Sequence, residues 1–241
     1  MITILEAKKQ PERGGLHNYC AVQFTHLPDE VKEHRRYFSE KRGFGEDAFH
    51  TMWYMLFNEF RPSFALEIGV YQGQVITLWK LLSKTLGFEC RVSCISPFSS
   101  AGDSTSRYVS KDYLSLTEEN HKKFGLDLPD MCRCLSTEKQ AELFVAGRKF
   151  DLVYIDGNHD YEVVKSDFEL CLPAIVPGGL LVLDDAAIGT SYVPSSDSFS
   201  GHQGPSRLAS ELSLEEIFSV GHNRVFQVPI KGGAQTSLVN I

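Results

Sequence analysis

The sequence has no run approaching the ~18 consecutive apolar residues that a membrane-spanning helix needs. Met1 to Gly15 also lacks the apolar stretch of a secretory signal. These absences predict a cytoplasmic chain with no membrane partner. Basic residues are few: 24 Lys and Arg stand against 31 Asp and Glu, a formal charge of −7. That is the wrong sign for a surface built to meet a phosphate backbone, so nucleic acid is not expected as an obligate partner. The cysteines, at positions 20, 90, 94, 132, 134 and 171, never show the two-residue gap of a zinc knuckle. They lie mostly in apolar runs and read as reduced core thiols. Repeats and low-complexity linkers are absent as well. The 241 residues, 42% of them hydrophobic, therefore read as one folding unit.

Within that unit, residues 1–45 are polar and weakly periodic, carrying Arg13-Gly14-Gly15, Pro28 and His34-Arg35-Arg36. They read as an N-terminal appendage to a main domain spanning 46–241. From Glu46 the pattern sharpens: Phe49, Met52, Trp53, Leu56, Phe57 and Phe60 recur at steps of three and four, one face of a helix that Pro62 ends. Such an aromatic stripe suits a helix packed on a sheet better than a ligand box. Strands and helices then alternate. Apolar strands are predicted at 64–69, 90–95, 131–135, 150–155 and 180–183, with helices at about 74–86, 113–124, 138–146 and 161–172. Gly178-Gly179 is expected to turn the chain into the fifth strand. Unbroken apolar strands alternating with helices imply a doubly wound, mostly parallel α/β sheet. Residues 217–220 and 224–228, around Gly221-His222-Asn223, suit an antiparallel hairpin at its edge.

In open α/β sheets, ligands occupy the crevice beyond the carboxyl ends of the strands. Three strands here end in acids or glycines: Glu67-Ile68-Gly69, Ile155-Asp156-Gly157 and Leu183-Asp184-Asp185. After the first, Gly69 permits a tight turn and Gly73 a close approach, but the spacing is neither GxGxxG nor a phosphate loop with Lys-Ser/Thr. Asp156, Asp184 and Asp185 crowded at one edge would repel unless a divalent cation or fixed donors balanced them. An oxygen-rich set of this kind suits Mg²⁺, Mn²⁺ or Ca²⁺; capping of local backbone N–H groups is the competing use.

The segments Glu67-Ile68-Gly69-Val70-Tyr71-Gln72-Gly73, Ile155-Asp156-Gly157-Asn158-His159-Asp160-Tyr161 and Pro177 to Asp185 together resemble the class I S-adenosylmethionine (SAM) dependent methyltransferases. Within these, the likeness is to the branch with an IDG-x-H-x-Y segment, which includes metal-dependent sugar O-methyltransferases. It covers roughly Phe64 to Val228. The resemblance implies a Rossmann-like sheet of seven strands with the last antiparallel, and SAM across the ends of the first three. It implies methionine contacts from Glu67, Gly69, Tyr71 and Gly73, and an adenine contact near Ser136. Where the family generally places a ribose-binding acid this chain has Ser96, which can accept from one hydroxyl rather than two; Asp103 is a candidate substitute. The resemblance also implies Asp156, Asp184 and Asp185 as ligands of a divalent cation, Mg²⁺ by preference.

His159 lies three residues beyond Asp156, placed to serve as a general base, a fourth ligand, or a loop histidine bonded to a carbonyl. Asp160 is a helix N-cap. The Ser/Gly-rich stretch Gly189 to Ser206 is long for a connection and is expected to border the acceptor pocket, with His202 and Arg207 as contacts, or to end in a Ser206 cap. His17, His26, His34, His50, His121 and His222 form no constellation in the sequence. The expected activity is cation-assisted O-methyl transfer to a small-molecule or sugar hydroxyl, with Asp156 or His159 taking the proton. Two alternatives stay open: a non-catalytic SAM- or nucleotide-binding domain, and a metal-independent methyltransferase with His159 as base. Oligomeric state is not legible, and a homo-oligomer is compatible with everything above.

Overall fold

The computed structural model of the chain describes residues 3–9, 13–195 and 198–230. Seven strands, β1 (Phe64–Ile68), β2 (Arg91–Ile95), β3 (Asp130–Cys132), β4 (Phe150–Ile155), β5 (Ile175–Leu183), β6 (Glu215–Val220) and β7 (Asn223–Gln227), form one sheet in the order β3-β2-β1-β4-β5-β7-β6. The first five are parallel; β7 runs antiparallel to both β5 and β6. This is the Rossmann-like doubly wound sheet the alternating pattern predicts. Its strand order reverses between β1 and β4, which opens the crevice there.

Period-two alternation divides the strand residues between two cores. On one face Ala65, Val92, Leu152, Tyr154, Leu180 and Val182 pack under α4 (Asp47–Phe60) and α5 (Gln74–Thr85). On the other Leu66, Ile68, Ile95, Val153, Ile155, Leu181 and Leu183 meet α7 (Lys139–Val145), α8 (Tyr161–Cys171) and α9 (Gln203–Glu211). The N-terminal residues add α1 (Ile4–Ala7), α2 (Arg13–Gln23) and α3 (Asp29–Ser39) to the first face, where Ile4, Leu16, Cys20 and Val31 join the core, as does Tyr113 of α6 (Tyr113–Lys123). α4 buries all of its stripe but Phe60, and Arg61 ends it in a left-handed conformation before Pro62. Trp53 meets Trp79 and Tyr154 edge-on, at 5.1 and 5.0 Å between centroids, so the helix lies directly over the sheet.

One expected turn is not a turn. Gly178 and Gly179 lie within β5, which starts at Ile175 and carries an irregularity in its pairing with β4 between Phe150 and Leu152. Gly179 fits there because a Cβ would meet Ile175 Cγ2 at 2.7 Å; the glycines mark a bulged strand rather than a loop. Among the described residues all six cysteines are free, and no helix is long and apolar enough to cross a membrane.

Candidate active site

The strand ends at the switch point lie level with one another. Gly69 N–H donates to Ile95 O at 2.9 Å, Asp156 N–H to Ile68 O at 2.9 Å, and Asp184 N–H to Ile155 O at 3.1 Å. Because alternate residues share a face, Glu67, Tyr154, Asp156 and Asp184 fall on the side covered by α4. Asp185, next in line, would point away, but its φ of +53° turns the chain back. Such a conformation is uncommon for a residue other than glycine, although aspartate tolerates it better than most. Glu67, Asp156, Asp184 and Asp185 all line one cavity of about 600 Å³, walled by Phe44, Phe49, Trp53, Tyr71 and Tyr108.

These four acids and Glu46 share this cavity with Arg107 as the sole Lys or Arg in its lining among the described residues. Burial, reinforced by Asp184 and then Asp185, holds the Asp156 carboxyl well above its ordinary pKa. Burial and then Asp185 raise Asp184, and burial and then Asp184 hold Glu67 well above its usual range. Oε2 of Glu67 and Oδ1 of Asp184 are buried without a hydrogen-bond partner. Acids so placed carry excess negative potential that a positive ligand relieves. The residues therefore fit both a divalent cation and the positively charged sulfonium of SAM.

Imidazoles supply the polar partners of Asp185. His159 Nε2 is 3.1 Å and His202 Nε2 3.6 Å from its Oδ2, while His222 Nδ1 is 3.4 Å from its Oδ1 and His222 Nε2 3.7 Å from Asp184 Oδ1. Among the described residues the potential ligand atoms that converge within 4.8 Å form two groups, His159–Asp185–His202 and Asp184–Asp185–His222. Asp156 joins neither, being paired with Asp184 through a side-chain hydrogen bond. His159 is fixed from behind: Asp103 Oδ2 accepts from its backbone N–H at 3.0 Å and lies 2.6 Å from its Nδ1. Burial opposes a charge on this ring, but Asp185 and Asp103 outweigh it and raise the His159 pKa.

Of the other residues singled out in the sequence, Tyr71 lines the cavity and packs against Phe44, Tyr108 and Tyr113. Gly69 and Gly73 shape it from behind. A Cβ on Gly69 would stand 2.1 Å from Asp156 O, so this glycine lets β1 and β4 end against each other. Gly73 caps α5 with φ +78°. Ser96 is buried, its hydroxyl donating to Val70 O at 3.3 Å. Ser136 sits beside Asp167 and away from the cavity lining. Asp103 does not stand in for a ribose acid, since its carboxylate is committed to His159, Thr105 and Ser106.

In the segment Gly189 to Ser206, residues 196–197 lie outside the described ones. Phe199 and His202 do border the cavity; Arg207 instead pairs with Glu211 at 2.9 Å and stacks over Tyr161. His202 takes the N-cap position of α9, with Ser206 inside the helix accepting from Ile188 N–H. His222 and His50, which form no pattern in the sequence, both line the cavity. The signal for His222 was topological: a β6–β7 hairpin antiparallel to β5 must turn at the carboxyl edge of the sheet, and Leu183 pairs with Arg224.

A switch-point crevice of this order, edged by acids, defines a Rossmann-like fold of the class I SAM-dependent methyltransferase type. A family model described as "methyltransferase domain" matches residues 66–186, half of the sequence, and the chain belongs to that family. No curated protein matches the chain. Solved structures similar in fold include the methyltransferase PaMTH1 of Podospora anserina, bound to SAH (15% identity, 85% of this chain and 89% of that one, TM-score 0.58). The O-methyltransferase of Bacillus cereus in complex with SAH matches at 15% identity, 92% and 99% coverage, and TM-score 0.55. The O-methyltransferase TomG of Streptomyces achromogenes, in complex with SAM, matches at 16% identity, 85% and 91% coverage, and TM-score 0.52.

Proposed function

We propose that this chain transfers a methyl group from SAM to a hydroxyl of a small molecule or sugar, assisted by a divalent cation, Mg²⁺ by default. The observation that carries the reading is the convergence of Glu67, Asp156, Asp184 and Asp185 on one aromatic-walled cavity in which Arg107 is the one Lys or Arg of the lining among the described residues. When bound, SAM supplies an electrophilic methyl on a positive sulfur, and a cation supplies a Lewis-acidic contact that lowers a hydroxyl's pKa.

The chain's own residues bind, orient and move the proton. Glu67, Gly69, Tyr71 and Gly73 are assigned to the methionine end of the cofactor, with Ser96 toward the ribose and Ser136 toward the adenine. Asp184 and Asp185, with Asp156 beside them, are assigned to the cation. The aromatic wall offers flat apolar contact suited to one face of a sugar or aromatic ring, which holds the acceptor in line with the methyl group. Asp156 or His159, both in the cavity lining, is assigned to take the hydroxyl proton.

Calorimetry with SAM, with and without Mg²⁺, followed by methyl-transfer assays over hydroxylated acceptors, tests the reading. SAM should bind to wild type, and Asp185→Ala should cut turnover at least ~100-fold while leaving SAM affinity within several-fold. Absence of SAM binding under both conditions would overturn it. The fixed Asp103–His159 pair favours a second reading in which His159 is the base and no metal is needed. That version predicts full activity in chelator and loss of rate in His159→Ala.

A further inference from the structure

The imidazoles around Asp185 change the character of the cation site. We propose that His159, His202 and Asp185 form a nitrogen-rich site selective for a borderline transition ion such as Fe²⁺, Co²⁺ or Zn²⁺, with Asp103 as its outer support. The inference deepens the proposed function and rests on its claim that a divalent ion occupies this edge; it leaves Asp156 to accept the proton.

The argument starts from Asp103. Its carboxylate accepts from the backbone N–H groups of His159, Thr105 and Ser106, so it is an acceptor, and the Nδ1 it faces at 2.6 Å carries the hydrogen. In the neutral ring Nε2 is then a lone pair, and it points at another acceptor, Asp185 Oδ2, 3.1 Å away. Two lone pairs at that distance need positive charge between them. A proton on Nε2 satisfies this one pair; His202 Nε2 stands 3.6 Å from the same oxygen, and a single cation is what all three atoms can share. One ion about 2.1 Å from each of them fits, because ligand atoms around such an ion lie roughly 3–4 Å apart.

The surroundings hold these atoms in place. His202 N–H donates to Asp185 O at 2.7 Å, and Gly201, directly before it, leaves no space for a Cβ, which would stand 2.1 Å from that same oxygen. The His159 and His202 rings lie 4.2 Å apart between centroids. Asp103 behind His159 completes the carboxylate–histidine–metal arrangement that fixes a ligand's tautomer. On the far side of Asp185, the buried Nδ1 of His222 faces Oδ1 at 3.4 Å and makes no hydrogen bond, an independent sign that this carboxylate is arranged for a ligand. All three ligand residues line the cavity, which leaves coordination positions open toward it. Two imidazoles and one carboxylate favour iron, zinc and their neighbours, whereas an all-oxygen set favours magnesium.

The test uses the full chain, stripped with chelator and titrated with Co²⁺, read by visible absorption and by proton NMR in water. Co²⁺ should bind with ligand-field absorption and strongly shifted exchangeable N–H resonances from two imidazoles, resisting a hundredfold excess of Mg²⁺. His202→Ala and His202→Gln, which keep the helix-capping backbone, should each remove one shifted resonance and weaken Co²⁺ binding at least ~10-fold. Asp103→Asn should weaken it roughly 10–100-fold. Bound Co²⁺ without shifted imidazole resonances, absence of Co²⁺ binding, or a His202→Ala spectrum like that of wild type would overturn the proposal. SAM calorimetry on the same samples separates the two readings. SAM binding without imidazole-bound Co²⁺ removes this inference alone; imidazole-bound Co²⁺ without SAM binding removes the methyltransferase reading alone.

Discussion

Asp103 Oδ2 stands 2.6 Å from His159 Nδ1, joining the loop after β2 to the loop after β4. The same carboxylate holds Thr105 and Ser106 by their N–H groups, and these bonds outweigh burial to keep its pKa below the usual carboxylate range. One side chain thus folds the loop that carries Arg107 and Tyr108 onto the cavity.

Asp103→Ala should free that loop. Losing one acceptor for several N–H groups costs roughly 1–3 kcal/mol locally, so trypsin cleavage after the exposed Arg107 should accelerate about tenfold or more. Cleavage kinetics by mass spectrometry provide the measurement, and an unchanged rate would show that the loop is held by other contacts.

Gly69→Ala should be among the most damaging small substitutions. Its φ of +92° disfavours any L side chain, and the new Cβ would stand 2.1 Å from the Asp156 carbonyl oxygen, a backbone atom with little freedom to move. A loss of roughly 3 kcal/mol or more is expected, read as urea-midpoint and melting shifts. A midpoint equal to wild type would contradict the close approach of β1 and β4.

His34 and His50 should make the fold acid-sensitive. Both are buried, with His34 Nδ1 3.1 Å from His50 Nε2. Burial, then His50 and His121, push His34 well below its ordinary pKa, and burial pushes His50 down to about 3. The unfolded chain binds protons on these rings below about pH 6.5, whereas the folded chain does not. Their contribution is therefore intact above that pH and shrinks as pH falls toward 3, by up to ~1.4 kcal/mol per ring per pH unit. His34→Phe should reduce the slope of melting temperature against pH between 5 and 6.5; an unaltered slope would exclude His34 as a source.

Asp167 should act in the opposite direction. It is fully buried on α8, and burial lifts its carboxyl to about 7 against a smaller opposing pull from Ser136. Its folded pKa lies above the unfolded value of about 3.9, so it costs nothing below that pH, and the penalty grows until pH passes about 7. Asp167→Asn should be more stable than wild type by roughly 1–3 kcal/mol at pH 8 and show no advantage near pH 4. Equal melting curves at pH 8 would show that the carboxylate is stabilised when charged.

The order of strands and helices from Phe64 onward was legible because β1, β2, β4 and β5 are predominantly apolar runs, and because Asp47–Phe60 keeps a helical stripe through its whole length. The acids were legible for the same reason: a charged residue closing an apolar strand marks the edge where a parallel sheet opens. The N-terminal helices were not, since a polar segment shows little periodicity when it needs only a few apolar positions, such as Leu16, Cys20 and Val31, to dock on a preformed face. The β5 glycines misled because a glycine pair promotes a bulge and a turn alike.

The sequence by itself determined the sheet, the helices on both its faces and the placement of Glu67, Asp156 and Asp184 on a common edge, because apolar period and strand ends are local properties. Only the tertiary structure decided which groups answer those acids. His159, held from behind by Asp103, and His202 and His222 reach Asp185 from three separate connections. A side chain's partner across the sheet depends on where distant loops return, and no spacing along the chain records that distance.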